Sequence, residues 1–270
     1  MTQILNKTAL ITGGASGIGL LTGRMLLNKG LSRLIIWDLQ TGELEKKIDP
    51  ETRFEGQISI AAVDISNASQ VSALVEKYAH QGWIPDILVN NAGIVVGKNF
   101  VDHTLEDIRK TLDVNVYSHM VVTRLWLPFM LKKPGMHVVN IASAASYTGN
   151  RKMSVYVASK WAMHGWSDSL RLELASVSPS FKVTLVNPYY INTGMFDGVK
   201  SAWWLPILQP EKVATAIVKA IERNRRVVRM PFLVKLTPAL RGLLPLPAFD
   251  AIASLLGVYK TMETFKGRNL

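Results

Sequence analysis

Short apolar runs rich in β-branched residues alternate with longer segments of helical periodicity, and this alternation constrains the fold more than any other feature. The apolar runs lie at residues 7–12, 33–37, 58–63, 87–90, 137–142, 183–187 and 227–230. The helical segments lie at residues 17–28, 41–48, 69–79, 105–132, 155–176 and 210–222. Strict alternation predicts a parallel sheet with helices on both faces, and continuously apolar strands are typical of burial on both sides. The predicted fold class is a doubly wound α/β fold with seven parallel strands.

The composition is that of one globular domain. The chain has 270 residues, of which 48% are hydrophobic and 19% charged, and neither a repeat nor a linker interrupts it. Residues 1–270 are therefore interpreted as a single domain. The absence of cysteine excludes disulfides and thiolate metal ligands. The five histidines lack the spacing of a metal site, and no metal is expected.

The net charge of +11 raises the question of an anionic partner. One local cluster of arginines, at residues 223–229, is interpreted as a solvated helix end and strand edge. No nucleic-acid-binding motif accompanies it, so no nucleic-acid partner is expected. The first residues lack the pattern of a secretory signal, and no apolar run approaches the roughly 18 residues of a spanning helix. The expected location is the cytoplasm, with a peripheral position on a lipid surface as the alternative.

A glycine-rich turn joins the first predicted strand to the first predicted helix. It reads Thr12-Gly13-Gly14-Ala15-Ser16-Gly17-Ile18-Gly19. Gly13 permits a tight turn, Gly17 lets backbone amides approach a pyrophosphate, and Gly19 lets the helix pack closely on the strand. The amides at the start of the helix attract phosphate. A strand before this turn and a helix after it are the context that a dinucleotide-binding Rossmann fold requires.

Two acidic residues end the second and third predicted strands. Asp38 lies 19 residues after Gly19, where a carboxylate accepts hydrogen bonds from the ribose hydroxyls of adenosine and repels a 2′-phosphate. Leu39 and Gln40 follow it rather than an arginine, so NAD is the predicted cofactor. Asp64 is placed to contact the adenine amine, although capping a turn fits it nearly as well.

A second group of polar residues predicts the reacting centre. Tyr156 and Lys160 are four residues apart on a predicted helix and so share one face. The ammonium group, together with the positive nicotinamide of an oxidised cofactor, is expected to lower the pKa of the phenol toward neutrality. Ser143 ends the fifth strand, at the edge of the sheet where ligands bind. Asn115 is a poor residue for the middle of a helix, and it is expected to hold a water molecule next to Lys160.

Together these motifs resemble the classical short-chain dehydrogenase/reductase family over roughly residues 7–230. The matching features are the glycine turn, Asn90-Asn91-Ala92-Gly93, Asn115, Ser143 and Tyr156-x-x-x-Lys160. The resemblance implies that Tyr156 is the acid/base, that Lys160 tunes it and binds the nicotinamide ribose, that Ser143 orients the substrate and that Asn115 completes a proton relay. Residues 90–93 would support the sheet and the adenosine side of the site.

The resemblance also implies a wider set of cofactor-binding residues. Besides Asp38, Asp64, Tyr156 and Lys160, they are Gly13, Ser16, Gly17, Ile18, Gly19, Ile65, Asn91, Ala92, Gly93, Pro188, Ile191 and Thr193. Tyr189 follows Pro188 where the family often has glycine. A tyrosine or phenylalanine at this point looks similar to the branch that contains retinol and 17β-hydroxysteroid dehydrogenase-like enzymes.

Two segments outside the alternation bear on the substrate. Residues 191–209 correspond to the family's substrate loop, and residues 231–270 form an apolar tail with several prolines. The expected lining of the substrate pocket is Ser143, Tyr189, Met195, Phe196, Trp203 and Trp204. These side chains favour a hydrophobic primary or secondary alcohol, or the corresponding ketone or aldehyde, of steroid, retinoid, aliphatic or aromatic type. The tail is expected to close this pocket or to pack between subunits, with contact to a membrane surface as a third option.

Two further expectations concern the oligomeric state of the protein and whether it is an enzyme. The predicted helices at residues 105–132 and 155–176 carry more apolar surface than one sheet face needs, which predicts a homodimer or homotetramer. The alternatives to an enzyme are a scaffold that binds NAD without catalysis and a peripheral membrane protein. The Tyr156–Lys160 pair favours the enzyme, because a scaffold does not require it.

Overall fold

The computed structural model describes residues 1–42, 44–48, 54–202 and 204–267. Its seven strands form one sheet in the order β3-β2-β1-β4-β5-β6-β7, and all neighbouring strands are parallel. The strands are β1 (Thr8–Thr12), β2 (Arg33–Asp38), β3 (Ile58–Ala62), β4 (Ile87–Asn90), β5 (His137–Ile141), β6 (Lys182–Pro188) and β7 (Val227–Met230). The predicted doubly wound α/β fold, a Rossmann fold, is confirmed.

The helices of the described residues alternate with these strands and continue past the sheet. They are α1 (Gly17–Leu27), α2 (Leu44–Ile48), α3 (Ala68–His80), α4 (Leu105–Leu112), α5 (Ser118–Met130), α6 (Ser154–Val177), α7 (Pro210–Glu222), α8 (Thr237–Leu243) and α9 (Leu246–Leu255). Short 3₁₀ turns occupy Phe100–Asp102, Ala144–Ser146, Phe232–Lys235 and Val258–Lys260. None of the helices in the described part of the chain is long and apolar enough to cross a membrane.

Two apolar clusters bury the faces of the sheet. Side chains of α1 and α7 pack on one face around Ile11, Ile36 and Val186. Side chains of α3, α5 and α6 pack on the other face around Trp37 and Trp126. Burial on both sides explains why the strands are continuously apolar.

The sequence pattern predicts one uninterrupted helix over residues 105–132, and this prediction is wrong in its middle. A single π-helical turn, Asp113–Tyr117, separates α4 from α5. The predicted start of the helix is confirmed, because Thr104 and Asp107 form a reciprocal capping box. A π-turn inserts one extra residue and rotates the side chains that follow, and such turns are frequent at functional sites.

The strand order places one edge of the sheet for ligand binding. Successive strands run outward from β1 to β3 on one side and from β4 to β7 on the other. The direction of winding therefore changes between β1 and β4, which is where a doubly wound sheet opens a crevice at the carboxyl ends of its strands. The glycine turn follows β1, and residues 91–94 follow β4, so both face this crevice.

Candidate active site

A cleft of about 640 Å³ opens at the carboxyl ends of the strands. Most of the residues that the sequence predicts for the site line it. They are Gly13, Ser16, Gly17, Ile18, Asp38, Asp64, Ile65, Asn91, Ala92, Gly93, Ser143, Tyr156, Lys160, Pro188, Tyr189, Ile191, Thr193, Met195 and Phe196. Gly19, Asn115 and Trp204 do not line the cleft, and Trp203 lies outside the described residues.

The glycine turn is held against the residues that follow β4. Gly13 has a φ of +63°, and a Cβ atom there would come within 2.7 Å of the Cα atom of Ala92. A Cβ atom on Gly19 would come within 2.6 Å of the Asn91 side-chain nitrogen. That nitrogen donates hydrogen bonds to the carbonyls of Thr12, at 3.0 Å, and Gly13, at 2.8 Å. Gly19 thus does not line the cleft. Its lack of a side chain lets α1 pack closely against the glycine turn and the Asn91 side chain.

The start of α1 fits the phosphates of a dinucleotide. Ser16 makes no side-chain capping hydrogen bond, and the first turn of the helix contains no acidic residue. The first amides are therefore left to other acceptors, and they lie on the cleft wall with Gly17 and Ile18. Unpaired amides at a helix N-terminus, with the partial positive charge of the helix dipole, are suited to bind phosphate.

Both acidic residues reach the cleft, and both also fix the backbone around them. The carboxylate of Asp38 accepts hydrogen bonds from the amides of Ala15, at 2.8 Å, and Gln40, at 3.1 Å. Asp64 accepts from the amide of Ser66 at 2.9 Å and from its hydroxyl at 2.7 Å. Asp64 therefore caps the turn after β3 while it faces the cleft, and its contact with the adenine amine stays a prediction.

Tyr156 and Lys160 are both buried on α6, and burial has the largest effect on the pKa of each. The Lys160 ammonium nitrogen lies 5.6 Å from the centre of the Tyr156 ring and donates to the carbonyl of Ile141 at 3.1 Å. Burial raises the pKa of the Tyr156 phenol, against a smaller lowering effect of the hydrogen bond with Ser143. Burial lowers the pKa of Lys160 to about 8. In the chain alone desolvation therefore sets the direction of the shift in the pKa of the phenol, and the expected lowering by Lys160 together with an oxidised nicotinamide stays a prediction.

Asn115 projects from the π-turn and uses both ends of its amide on the protein. Its Oδ1 accepts from the amide of Ile94 at 2.8 Å, and its Nδ2 donates to the carbonyl of Ile94 at 2.9 Å and to Ser159 Oγ at 3.0 Å. A Cβ atom on Gly93 would lie 3.3 Å from the Asn115 oxygen and 3.7 Å from the Lys160 nitrogen. Asn115 thus lies beside Lys160, as expected. It orders the turn after β4, which sequence reasoning did not predict.

His119 supports the same turn, which the spacing of the histidines in the sequence does not indicate. It is fully buried on α5, four residues after Asn115, with Nε2 2.8 Å from the carbonyl of Ala92. Burial lowers the pKa of His119 to about 3, with a further contribution from the Lys160 charge. The imidazole is therefore neutral at neutral pH and donates Nε2–H to this carbonyl.

Aromatic and sulfur-containing side chains enclose the cleft around the Tyr156 ring. Phe196 stands edge-on to Tyr156, with ring centres 5.9 Å apart, and to Tyr190, at 4.9 Å. The apolar substrate loop, residues 191–209, thus contacts the tyrosine through Phe196, although Trp204 does not line the cleft.

Sequence reasoning missed other lining residues, among them Glu106, Arg109, Lys110 and Asp113 of α4 and its π-turn, and Asn150, Met153, Tyr190, Val258 and Thr261. The first four recur at the spacing of one helix face, which was the available signal.

Comparison with known proteins agrees with this geometry. The family model described as short chain dehydrogenase matches residues 7–203. This chain belongs to the short-chain dehydrogenase family. It is therefore an oxidoreductase of that family, and the relatives named below include proteins of the retinol and 17β-hydroxysteroid dehydrogenase branch.

The relatives are similar over nearly the whole chain. Epidermal retinol dehydrogenase 2 of Mus musculus is 33% identical over 98% of this chain and 87% of its own length. A ketoacyl reductase of Nostoc is 35% identical over 83% of this chain and 78% of its own length. The 17-beta-hydroxysteroid dehydrogenase 13 of Mus musculus is 28% identical over 87% of this chain and 77% of its own length.

Solved structures show the same fold. A short-chain dehydrogenase/reductase from Burkholderia phymatum in complex with NAD has a TM-score of 0.80 and 24% identity, covering 90% of this chain and 95% of that one. A short-chain dehydrogenase from Burkholderia cenocepacia in complex with NADP has a TM-score of 0.78 and 22% identity, covering 94% and 98%. Similarity at this level of identity supports the fold, and the choice between the two cofactors rests on the residues of this chain.

Proposed function

We propose that this protein transfers a hydride between NAD and a hydrophobic primary or secondary alcohol, or the corresponding aldehyde or ketone. The observation that carries the proposal is the position of the Tyr156 phenol. It is buried next to Ser143 and under the Phe196 ring, at the apolar end of a cleft whose other end has the features of a dinucleotide site. Family membership supports the reaction class. The names of the retinol and steroid dehydrogenases among the relatives support an apolar substrate.

Side chains of this protein carry out the proton transfer of the proposed reaction. In the direction of oxidation, the Tyr156 phenolate accepts the proton of the substrate hydroxyl while a carbon–oxygen double bond forms. In reduction, the phenol returns that proton to the oxygen. Ser143 orients the oxygen by a hydrogen bond, and Lys160 is available to the nicotinamide ribose and to the phenolate. A nicotinamide held in the cleft supplies the hydride chemistry and, when oxidised, a positive charge.

The phenol is the group whose removal tests this proposal. Tyr156→Phe keeps the ring and its edge-on contact with Phe196, so folding and cofactor binding should persist. Acid–base catalysis contributes about 10²- to 10⁴-fold, and kcat should fall toward the upper end of that range. The measurement pairs steady-state turnover of a set of steroid, retinoid and aliphatic alcohols with NAD binding by calorimetry.

A matched control and the opposing results keep this test interpretable. Tyr117→Phe removes a phenol that is half-exposed and outside the cleft, and it should leave kcat unchanged. If Tyr156→Phe binds NAD normally and keeps kcat within about threefold of wild type, Tyr156 is not the acid/base. If wild type binds NAD and oxidises none of the alcohols, the scaffold alternative is favoured.

The cofactor proposal rests on Asp38. Its carboxylate lies on the cleft wall at the end of β2 and is held there by the amides of Ala15 and Gln40. A second negative charge at this point, from the 2′-phosphate of NADP, would be repelled. We expect wild type to have the higher kcat/KM with NAD. Asp38→Ala should lower kcat/KM with NAD and raise it with NADP, whereas a wild type that prefers NADP would contradict the role given to Asp38.

A further inference from the structure

Residues 258–267 cross the mouth of the cleft and are called the C-terminal strap below. Val258 and Thr261 of the strap line the cleft beside Asn150 and Tyr190. Met262 is fully buried in the apolar cluster that also contains Tyr156. The middle of the strap, Thr261 and Met262, is therefore packed into the site, while residues on either side of it are exposed.

Backbone hydrogen bonds join the strap to the substrate loop. The amide of Lys200 donates to the carbonyl of Thr261 at 3.2 Å, and the amide of Lys266 donates to the carbonyl of Asp197 at 2.8 Å. The Thr264 hydroxyl donates to the carbonyl of Gly198 at 2.6 Å. Because these contacts extend from Thr261 to Lys266, the loop and this part of the strap form one layer beside the cleft.

Two glycines far away in the chain make room for this layer. A Cβ atom on Gly97 would collide with the ring of Phe265, and one on Gly198 would collide with the carbonyl oxygen of Thr264. Gly198 also has a positive φ of +83°, a backbone conformation that favours glycine. Gly97 is not among the glycines with a positive φ. Glycine is therefore needed at position 97 for steric reasons alone, because the Phe265 ring of the strap occupies the space that a Cβ atom would fill.

The strap also brings polar groups to an otherwise apolar wall. The Asn150 side-chain nitrogen donates to Thr261 Oγ1 at 2.7 Å and to the Tyr190 hydroxyl at 3.1 Å. The two hydroxyls are 2.9 Å apart, and Met153 and Met262 pack nearby. This network fixes Thr261 in place, so the shape of the wall depends on where the strap lies.

We infer that the C-terminal strap builds the wall of the substrate pocket away from the cofactor, so that Val258 and Thr261 select the substrate by contacting its distal part. This inference rests on the proposed dehydrogenase function. A substrate long enough to reach this wall gains apolar contact there, whereas a short alcohol binds only at the reacting end. Moving the strap should therefore alter the KM of a long alcohol and spare both a short alcohol and NAD.

Gly97→Ala is the variant that moves the strap without touching the cofactor end. We expect the KM for 5α-androstan-17β-ol to rise about tenfold and that for propan-2-ol to change by less than about twofold, since a tenfold loss is what a few lost contacts produce. The dissociation constant of NAD, from calorimetry, should be unchanged. Gly165→Ala makes the same change at a helical glycine with open space around it and should have none of these effects.

Phe265→Ala supplies the second half of a double-mutant cycle. It removes the ring that collides with a Cβ atom at position 97, so adding Gly97→Ala to it should produce no further rise in KM. Additive effects of the two changes would overturn the inference. So would a Gly97→Ala variant with unchanged KM for the steroid, or with equal losses for both alcohols and NAD.

Trypsin cleavage and ligand binding separate this inference from the proposed function. If the strap holds the loop, Gly97→Ala should speed cleavage after Lys200 and Lys260, and the Phe265→Ala background should remove the difference. If wild type oxidises neither of these two alcohols nor any other of the steroid, retinoid and aliphatic set, the proposed function is wrong. Calorimetric binding of 5α-androstan-17β-ol to the NAD complex then tests the strap. A weaker affinity of Gly97→Ala for this steroid supports the inference about the strap. An unchanged affinity, or an unchanged rate of cleavage, overturns that inference.

Discussion

At the scale of single residues, the site depends on burial as much as on charge. Tyr156 and Lys160 are both removed from water, which disfavours the charged form of each. The pKa of the phenol is raised and that of the ammonium group is lowered to about 8. We expect the titrations of the two groups to be coupled, so that experiments report apparent pKa values of the pair. An oxidised nicotinamide bound beside them would add a positive charge that favours the phenolate.

The pH dependence of the two reaction directions follows from these shifts. Oxidation requires the phenolate of Tyr156, and a raised pKa leaves little of it at neutral pH. The rate of oxidation should therefore rise as the pH increases from about 7 to about 10, whereas carbonyl reduction, which requires the phenol, should change little over this range because the phenol stays protonated. Initial rates in both directions at saturating cofactor measure this. The residual rate of Tyr156→Phe should not vary with pH, and a wild-type oxidation rate that falls over this range would contradict the assignment.

At the scale of elements, the sequence predicts what is local and misses what depends on distant contacts. Strand and helix positions could be predicted because burial on one or both faces leaves a period in the sequence. The π-turn Asp113–Tyr117 could not, because one extra residue in a helix leaves no period. Its only trace is Asn115, a poor helix former. Asn115 and His119, four residues apart, both reach the turn after β4, at Ile94 and Ala92.

The substrate side of the cleft also depends on contacts between residues far apart in the sequence, which the sequence does not predict. Phe196 and Met195 were predictable from an apolar loop, but Val258 and Thr261 were not assigned to the pocket. The apolar tail was consistent with a lid, a subunit contact or a membrane contact. Only the packing of Phe265 on Gly97 and of Thr264 on Gly198 places its end over the cleft, and these partners lie far away in the sequence.

At the scale of the whole molecule, large apolar side chains remain exposed at several places, and two of these regions bear on possible partners. One comprises the outer faces of α4 to α6, with Leu105, Tyr117, Leu172 and Val177. The other comprises α8 and α9, where Leu243 is 83% and Leu255 88% exposed. Exposed apolar patches on soluble domains commonly mark contacts with a partner. The first region is the one that the sequence assigns to a subunit interface, and the second is adjacent to the strap.

Changing one leucine in each region tests the predicted oligomer. We expect wild type to have a light-scattering mass of two or four chains of 29.9 kDa at micromolar concentration, because closed symmetric assemblies bury such faces. Leu172→Glu places a charge in the α6 face and should shift the mass toward one chain. Leu255→Glu, at a more exposed leucine of α9, should leave the mass unchanged.

The other outcomes assign the two regions differently. If Leu255→Glu separates the subunits and Leu172→Glu does not, the interface lies on α8 and α9 and the apolar face of α6 serves another purpose. A single-chain mass for wild type would contradict the oligomer outright. In that case flotation with anionic liposomes becomes the informative measurement, since a basic chain with exposed leucines on two short helices has the properties of a surface that binds weakly to such lipids. Loss of flotation in Leu255→Glu, with flotation retained in Leu172→Glu, would assign α8 and α9 to the membrane contact.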